Sequence, residues 1–250
     1  MEKELNDAFG IIIRNGYKAK NPFKIHLIRY ADDFIITADS PQILQEKVIP
    51  LVSNFLKERG LQLSPEKTRI VNIDQGFDFL GVTIKRYGKK VLTKPSKKSI
   101  KAVYAKIRLV VKQAKAVEQI KLIEKLNPII SGWANYHKHY VSKRIFSKLD
   151  NLLFKLLWRW AKRRHPNKSL RWVKNKYFKQ IGQRNWVFSA KTGNMDYELR
   201  RFDKTKIKRH IKIKSASNPF DTDWQEYFKN RKAYKSEKII NFGHLDYSYL

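Results

Sequence analysis

Along the first part of the chain the apolar positions come in short β-rich runs. Ile25 to Tyr30 and Phe34 to Ala38 are two of them. Between them stands Ala31-Asp32-Asp33, and two such runs around so short a polar break predict a hairpin. Ser40 suits a helix N-cap and Pro41 a first helical turn. Behind them Ile43, Leu44, Val48, Leu51, Val52, Phe55 and Leu56 fall on one face at helical spacing, and Gly60 closes the run. Pro50 lies inside this helix and is expected to kink it or to end its first half. Strand-like pieces return at Thr68–Ile73, Phe77–Lys85 and Val91–Thr93, with Arg86-Tyr87-Gly88-Lys89 read as a turn. Residues 1–24 are mixed, with turn signals at Asn15-Gly16 and Asn21-Pro22.

After Lys94-Pro95 the period changes to that of helices. Ser99 to Ala116 carries a stripe of Ile100, Val103, Ile107, Val110 and Val111. A second helical run covers Val117 to Leu126. A third starts near Pro128 and holds Ile129, Ile130, Trp133, Tyr136, His137 and Tyr140. A fourth runs from about Ser142 to Lys162 with Phe146, Leu149, Leu152, Leu153, Leu156, Leu157 and Trp160, and Arg163-Arg164-His165-Pro166 ends it. A fifth is expected over Ser169 to Ile181. From Lys191 onward the signals weaken. The expected fold class is therefore α+β: antiparallel strands plus a helix over residues 1–93, an all-α domain over 94–190, and a basic-to-polar extension over 191–250.

With 250 residues, 42% of them apolar and 13% aromatic, the chain can bury a core, and wholesale disorder is excluded. No apolar run approaches the roughly 20 residues of a membrane-spanning helix. The first residues (Glu2, Lys3, Glu4, Asn6, Asp7) do not have the pattern of a secretory leader. The absence of cysteine removes disulfides, thiol nucleophiles and cysteine-based zinc sites.

Charge adds the larger constraint. Lys and Arg number 54 against 22 Asp and Glu, a net +32. Residues 1–78 are neutral, with 11 of each sign, so the whole excess lies beyond them. Phe79 to Val117 and Asn151 to Met195 contain no acid and 12 Lys or Arg each. A solvated basic surface accounts for one Lys-rich helix more readily than for two such stretches. A polyanion, nucleic acid before a membrane surface, is the expected partner. Aromatics (Trp133, Tyr136, Tyr140, Trp158, Trp160, Trp172) are interleaved with these cations and could stack on unpaired bases. Trp133 and Trp160 lie on apolar stripes and are expected in the core. The candidate RNA contacts are Lys138, Lys143, Arg144, Arg159, Arg163, Arg164, Lys168, Arg171, Lys174 and Lys176. His137 and His139 lie two apart on a helix, face different ways, and read as surface or interface histidines rather than a ligand pair.

The sharpest local feature is Arg29-Tyr30-Ala31-Asp32-Asp33-Phe34. Adjacent carboxylates raise one another's pKa unless a cation relieves them. Mg²⁺ does so through hard oxygen ligands, and a carboxylate-held metal pair is what nucleotidyl transfer uses. A solvated hairpin tip is the plainer explanation of two aspartates in a turn.

Tyr30-Ala31-Asp32-Asp33 resembles the catalytic palm hairpin of reverse transcriptases. Gly60-Leu61-Gln62-Leu63-Ser64-Pro65-Glu66-Lys67-Thr68 and Gly76-Phe77-Asp78-Phe79-Leu80-Gly81 resemble the blocks that follow it in that family. Leu126-Asn127-Pro128-Ile129-Ile130-Ser131-Gly132-Trp133-Ala134-Asn135-Tyr136 resembles the signature of the maturase domain of group II intron proteins, as do Phe146-Ser147-Lys148-Leu149-Asp150, Leu157 to Pro166, and Gly182-Gln183-Arg184-Asn185-Trp186. Ile207 to Lys214 and Pro219 to Trp224 resemble the stretch that precedes an endonuclease in longer relatives. The chain is thus similar to the C-terminal half of a group II intron-encoded reverse transcriptase and maturase.

The resemblance implies a partial reverse-transcriptase palm followed by a helical thumb or maturase domain. Asp32 and Asp33 would be the catalytic, metal-holding pair. Mg²⁺ would be their cofactor only once the palm is completed, because the first palm aspartate and the fingers have no counterpart in this chain; Asp7 falls in a segment that reads as helical. The implied partners are group II intron RNA, a DNA target and an N-terminal reverse-transcriptase fragment, with no membrane, in a bacterial cytoplasm rather than an organelle. Three functions stay open: an RNA-binding splicing assistant without polymerase activity of its own, half of a split reverse transcriptase completed in trans, and a generic basic nucleic-acid-binding protein. An upstream reading frame encoding the missing blocks would separate the second from the others.

Overall fold

The computed structural model describes residues 1–193, 195–209, 213–214 and 217–231. Within the Ile207–Lys214 stretch, His210, Ile211 and Lys212 lie outside the described residues, as do positions 232–250. The chain forms two compact units, one of Met1–Ile70 with Ile211–Leu250, the other of Val71–His210.

The first unit opens with α1 (Glu2–Ala8), then a hairpin of β1 (Ile12–Arg14) and β2 (Tyr17–Lys20). Asn15 and Gly16 both have positive φ, as a two-residue hairpin turn requires. A Cβ on Gly16 would come within 2.6 Å of the Trp224 ring, so this glycine is needed for space as well. The Asn21 amide then clasps Ile25, accepting from its N–H at 2.8 Å and donating to its carbonyl at 2.9 Å. That sets up the expected hairpin of β3 (His26–Tyr30) and β4 (Asp33–Thr37).

The helix behind Ser40 also forms. The Ser40 hydroxyl accepts from the Ile43 N–H, as an N-cap should. Pro50 does not end the helix, which continues to Lys57. Instead α2 (Pro41–Ile43) passes into a π-helical stretch (Leu44–Val48) before α3 (Ile49–Lys57). There the Ile49 N–H reaches the Leu44 carbonyl, five residues back. Wider winding just before the proline accommodates its ring and its missing donor. Leu5, Phe9, Ile11, Ile25, Val48 and Val52 form the core, with Leu27, Phe34, Ile36, Ile43, Leu44, Leu51 and Leu56 packed on it. Phe55 departs from the expected face and lies under the Arg59 guanidinium, 3.6 Å away.

Thr68–Ile73, where the chain passes from the first unit to the second, is not a strand. Its chain folds back through turns, with Thr68 bonded to the Ser64 carbonyl and the Asn72 side chain accepting from the Asp74 N–H. Phe77–Lys85 is two strands, because Leu80 and Gly81, both at positive φ, turn the chain between β5 (Phe77–Phe79) and β6 (Val82–Tyr87). The next turn is confined to Gly88-Lys89, and β7 (Lys90–Pro95) completes an antiparallel sheet in the order β5-β6-β7.

Four helices follow: α4 (Lys97–Gln113), α5 (Gln119–His137), α6 (Lys143–Arg164) and α7 (Leu170–Tyr177). The second and third expected helices are one, since α5 runs through Pro128. Leu122, Ile123, Leu126 and Ile130 are buried on either side of the proline, and that continuous stripe outweighs one lost backbone hydrogen bond. Arg163 and Arg164 belong to the last turn of α6.

The all-α expectation for this domain is corrected. The fifth helix stops at Tyr177, and Phe178–Ile181 is β8, paired with β9 (Arg184–Thr192), which pairs in turn with β10 (Met195–Glu198). Phe178 and Phe188 are buried by the pairing, which the helical pattern did not distinguish from one more turn of α7. Part of the C-terminal extension is core as well: Leu199 and Phe202 are buried among the helices.

One buried group ties this core to pH. His137 is 1% exposed; its Nε2 lies 3.1 Å from the Ser99 hydroxyl, which also accepts from Trp133 Nε1. Nδ1 has no partner. Burial holds the imidazole down at about 4. The folded form therefore stays neutral while the unfolded chain takes up a proton below pH about 6.5. The stability this group contributes is complete above that pH and lost as pH falls toward 4, on the order of 3 kcal/mol in all. Denaturant melts between pH 7 and pH 4 should show that fall, and it should shrink in His137→Phe.

Candidate functional site

The hairpin of β3 and β4 is closed by Ala31 and Asp32 alone, since Tyr30 pairs with Asp33. Ala31 sits at φ 54°, a left-handed position that costs an alanine about 1 kcal/mol relative to glycine. Cross-strand partners share a face. Leu27, Phe34 and Ile36 pack on the core. Ile28, Tyr30 and Asp33 therefore point the other way, and Ile28 and Tyr30 are exposed. Asp32 occupies the turn itself. Both carboxylates are exposed.

These two side chains are the right donors for Mg²⁺, but that ion takes near-octahedral oxygen ligation. Among the described residues no group of three or more His, Cys, Asp or Glu could hold a metal. The aspartate pair by itself does not make a fitting site for the ion.

The second unit carries the cations. On α6 the apolar positions Phe146, Leu149, Leu153, Leu157, Trp160 and Ala161 are buried. The same periodicity places Arg144, Lys148, Lys155, Arg159 and Lys162 on the solvent side, at steps of three, four or seven residues, with the exposed Arg163 beside them. Three of these, Lys148, Lys155 and Lys162, were not among the sequence candidates. Their spacing from Arg144 and Arg159 was the signal that could have found them. The one acid of this helix, Asp150, is turned inward. It accepts the Phe202 and Asp203 N–H groups at 2.9 and 3.0 Å, with Arg201 3.7 Å away, and burial pushes its carboxyl above the usual range.

The remaining candidates divide. Arg171 is exposed on α7. Trp172, 37% exposed, stands between the Lys168 and Lys176 ammonium groups, 5.7 and 4.9 Å from its ring. The His165 ring meets it edge-on at 4.7 Å, and loss of solvent with the cations of Lys176, Arg164 and Lys168 lowers the His165 pKa. Lys174 faces the Trp186 ring. Lys138 and Lys143 are engaged locally, with Asn135 and with the Asp203 carbonyl. Arg164 serves the architecture. It donates to the Lys115 and Val117 carbonyls at 2.9 and 2.8 Å and lies 4.7 Å over Trp160. His139 accompanies Lys208, with its Nδ1 2.7 Å from that carbonyl. It is remote in role from the buried His137.

Arg163 and Arg164 should therefore behave differently. Arg164→Ala leaves two carbonyls of the α4–α5 connection unpaired and should cost about 1–3 kcal/mol in denaturant unfolding. Arg163→Ala should stay within about 0.5 kcal/mol of the parent.

Comparison with known proteins bears on both units. Residues 3–84 match the family described as reverse transcriptase (RNA-dependent DNA polymerase). Residues 100–178 match the group II intron, maturase-specific domain. A protein of Euglena longa named ribosomal operon-associated A protein is 26% identical over 192 residues, 75% of this chain and 36% of that protein. Its namesake from Euglena gracilis is 28% identical over 115 residues, 43% of this chain and 22% of its own length. The matched part thus spans about a third or less of these relatives. Among the described residues no helix is long and apolar enough to cross a membrane.

Proposed function

We propose that this chain, which belongs to the group II intron maturase and reverse transcriptase family, binds intron RNA and helps it reach the fold in which it splices. The observation that carries the reading is the cationic face of α6 within the maturase-specific match. Arg144, Lys148, Lys155, Arg159, Lys162 and Arg163 lie along one face, and the only acid of that helix is turned inward. Such a stripe neutralises phosphates where RNA helices crowd together. The RNA, with its own hydroxyls and metal ions, would carry out the transesterification, and the protein would supply counter-charge and positioning.

Full-length protein should bind a group II intron RNA with an affinity that falls steeply between 50 and 200 mM salt, as expected of about six or more phosphate contacts. Changing Lys148, Lys155, Arg159 and Lys162 together to Gln should flatten the salt slope by roughly 0.7–0.9 for each phosphate no longer neutralised. It should also raise the Mg²⁺ concentration needed for splicing in vitro. An unchanged slope in that variant would overturn the reading.

Nucleotidyl transfer at Asp32 and Asp33 is a second reading, favoured by the hairpin's exposed carboxylates and by the reverse-transcriptase match over residues 3–84. Among the described residues the sheet of β3 and β4 has two strands only, and a further strand could extend it. Mg²⁺ would be held there once such a strand brought a third carboxylate. Titration of Mg²⁺ into the chain alone should reveal no tight site. Primer extension, tested with and without an added fingers-and-palm fragment, should require that fragment and vanish in Asp32→Ala.

A further inference from the structure

The cationic stripe leaves one built feature of the second unit unused. On the β8–β9 hairpin, Ile181 pairs with Arg184 and Lys179 with Val187, so β9 carries one extra residue. Trp186 sits in that bulge at φ 68°, a position where glycine is the easy choice and a bulky side chain is strained. Bulges of this kind re-aim a side chain. Here the indole rests edge-on against Phe154 and Trp158, with ring centroids at 6.0 and 5.3 Å, and remains 44% exposed. Core packing does not require that exposure.

Trp186 and Phe154 line an open groove of about 450 Å³, within the ordinary range for ligand sites, whose polar lining includes Ser147, Asn151 and Asn185. A second groove of about 690 Å³ adjoins it, and Arg184, Arg200 and Arg201 line both. Arg201 is tied to Asp203 and Asp150, and one N–H of Arg200 goes to the Ser131 hydroxyl. Lys204 adds a further cation to the second groove, and Glu198 is its acid.

We infer that this double groove takes one unpaired nucleotide extruded from RNA. The base stacks against Trp186 and Phe154, where Ser147, Asn151 and Asn185 can meet its edge. Flanking phosphates run along Arg184, Arg200 and Lys204. Aromatic faces beside cations are the chemistry that binds unpaired nucleotides, whereas a paired duplex keeps its base faces stacked inside. The inference rests on the RNA-binding reading above and adds which feature of the RNA is read.

The test uses the full chain and two RNA hairpins of equal length, one fully paired and one with a single bulged nucleotide. Wild type should prefer the bulged hairpin about five-fold or more. Trp186→Gly suits the left-handed backbone and removes the ring; it should weaken binding to the bulged hairpin by roughly ten-fold and leave the paired one within about two-fold. Phe154→Leu, which keeps apolar bulk, should act in the same direction and decides the matter if the glycine variant does not fold. Equal losses on both hairpins, or no loss on the bulged one, would overturn the nucleotide groove while leaving general RNA binding intact. If wild type binds neither hairpin, the RNA reading falls with it.

Discussion

The apolar stripe of α6 is the constraint on which the basic unit depends. Phe146, Leu149, Leu153, Leu157 and Trp160 enter the core together, each contributing about 1.5–3 kcal/mol of burial. The cations on the opposite face repel one another by a few tenths of a kcal/mol per neighbouring pair, and salt reduces that further. Burial wins by a wide margin. The helix can therefore carry a row of Lys and Arg without losing its place. The same 3.6-residue period that sinks one face lifts the other toward solvent. The Trp160 indole N–H to the Ala114 carbonyl, at 2.7 Å, and the Arg164 contacts to residues 115 and 117 fix the end of α6 against the α4–α5 connection.

The first unit works at a smaller scale. Its hairpin is held by local devices: the Asn21 clasp on Ile25, a two-residue turn, and an inner face of Leu27, Phe34 and Ile36. Each strand has five residues, and an isolated hairpin of that size is marginal in water. The packing of α2, the π-helical stretch and α3 on that inner face supplies the support. The outer face keeps Ile28, Tyr30 and Asp33 in solvent, so the carboxylate turn is presented rather than buried.

Strong periodicity made most of the fold legible in the sequence. The hairpin around Asp32 and Asp33, the Ser40 cap and the stripes of α4, α5 and α6 follow from residue spacing alone. The departures occur where one residue type serves two structures. Pro50 and Pro128 read as breaks, but π winding at the first and an unbroken buried stripe at the second carry the helix through. Phe178 to Ile181 continues the apolar pattern of α7, and only its partner strand, with Phe188 opposite Phe178, makes it β. Such pairing is not a local property. Among the candidate contacts, a basic neighbourhood did not tell Arg164, which satisfies backbone carbonyls, from Arg163, which faces water. Lys148, Lys155 and Lys162 stand out only by their place on the exposed face of the helix.

A net charge of +32 would also couple the fold to any polyanion the chain binds. The cations on the exposed face of α6 are held near one another by the core, and in the free protein solvent and small ions relieve most of that crowding. A bound polyanion relieves it selectively in the folded state, because the unfolded chain can spread its charges apart. Any RNA that binds the folded form in preference adds RT ln(1 + [L]/Kd) to its stability, roughly 2.7 kcal/mol at a hundred times the dissociation constant. That is comparable to the whole contribution of one large buried side chain. A bound polyanion would make the stability of the basic unit depend on occupancy, and the inward turn of Asp150 keeps the acid of α6 off its cationic face.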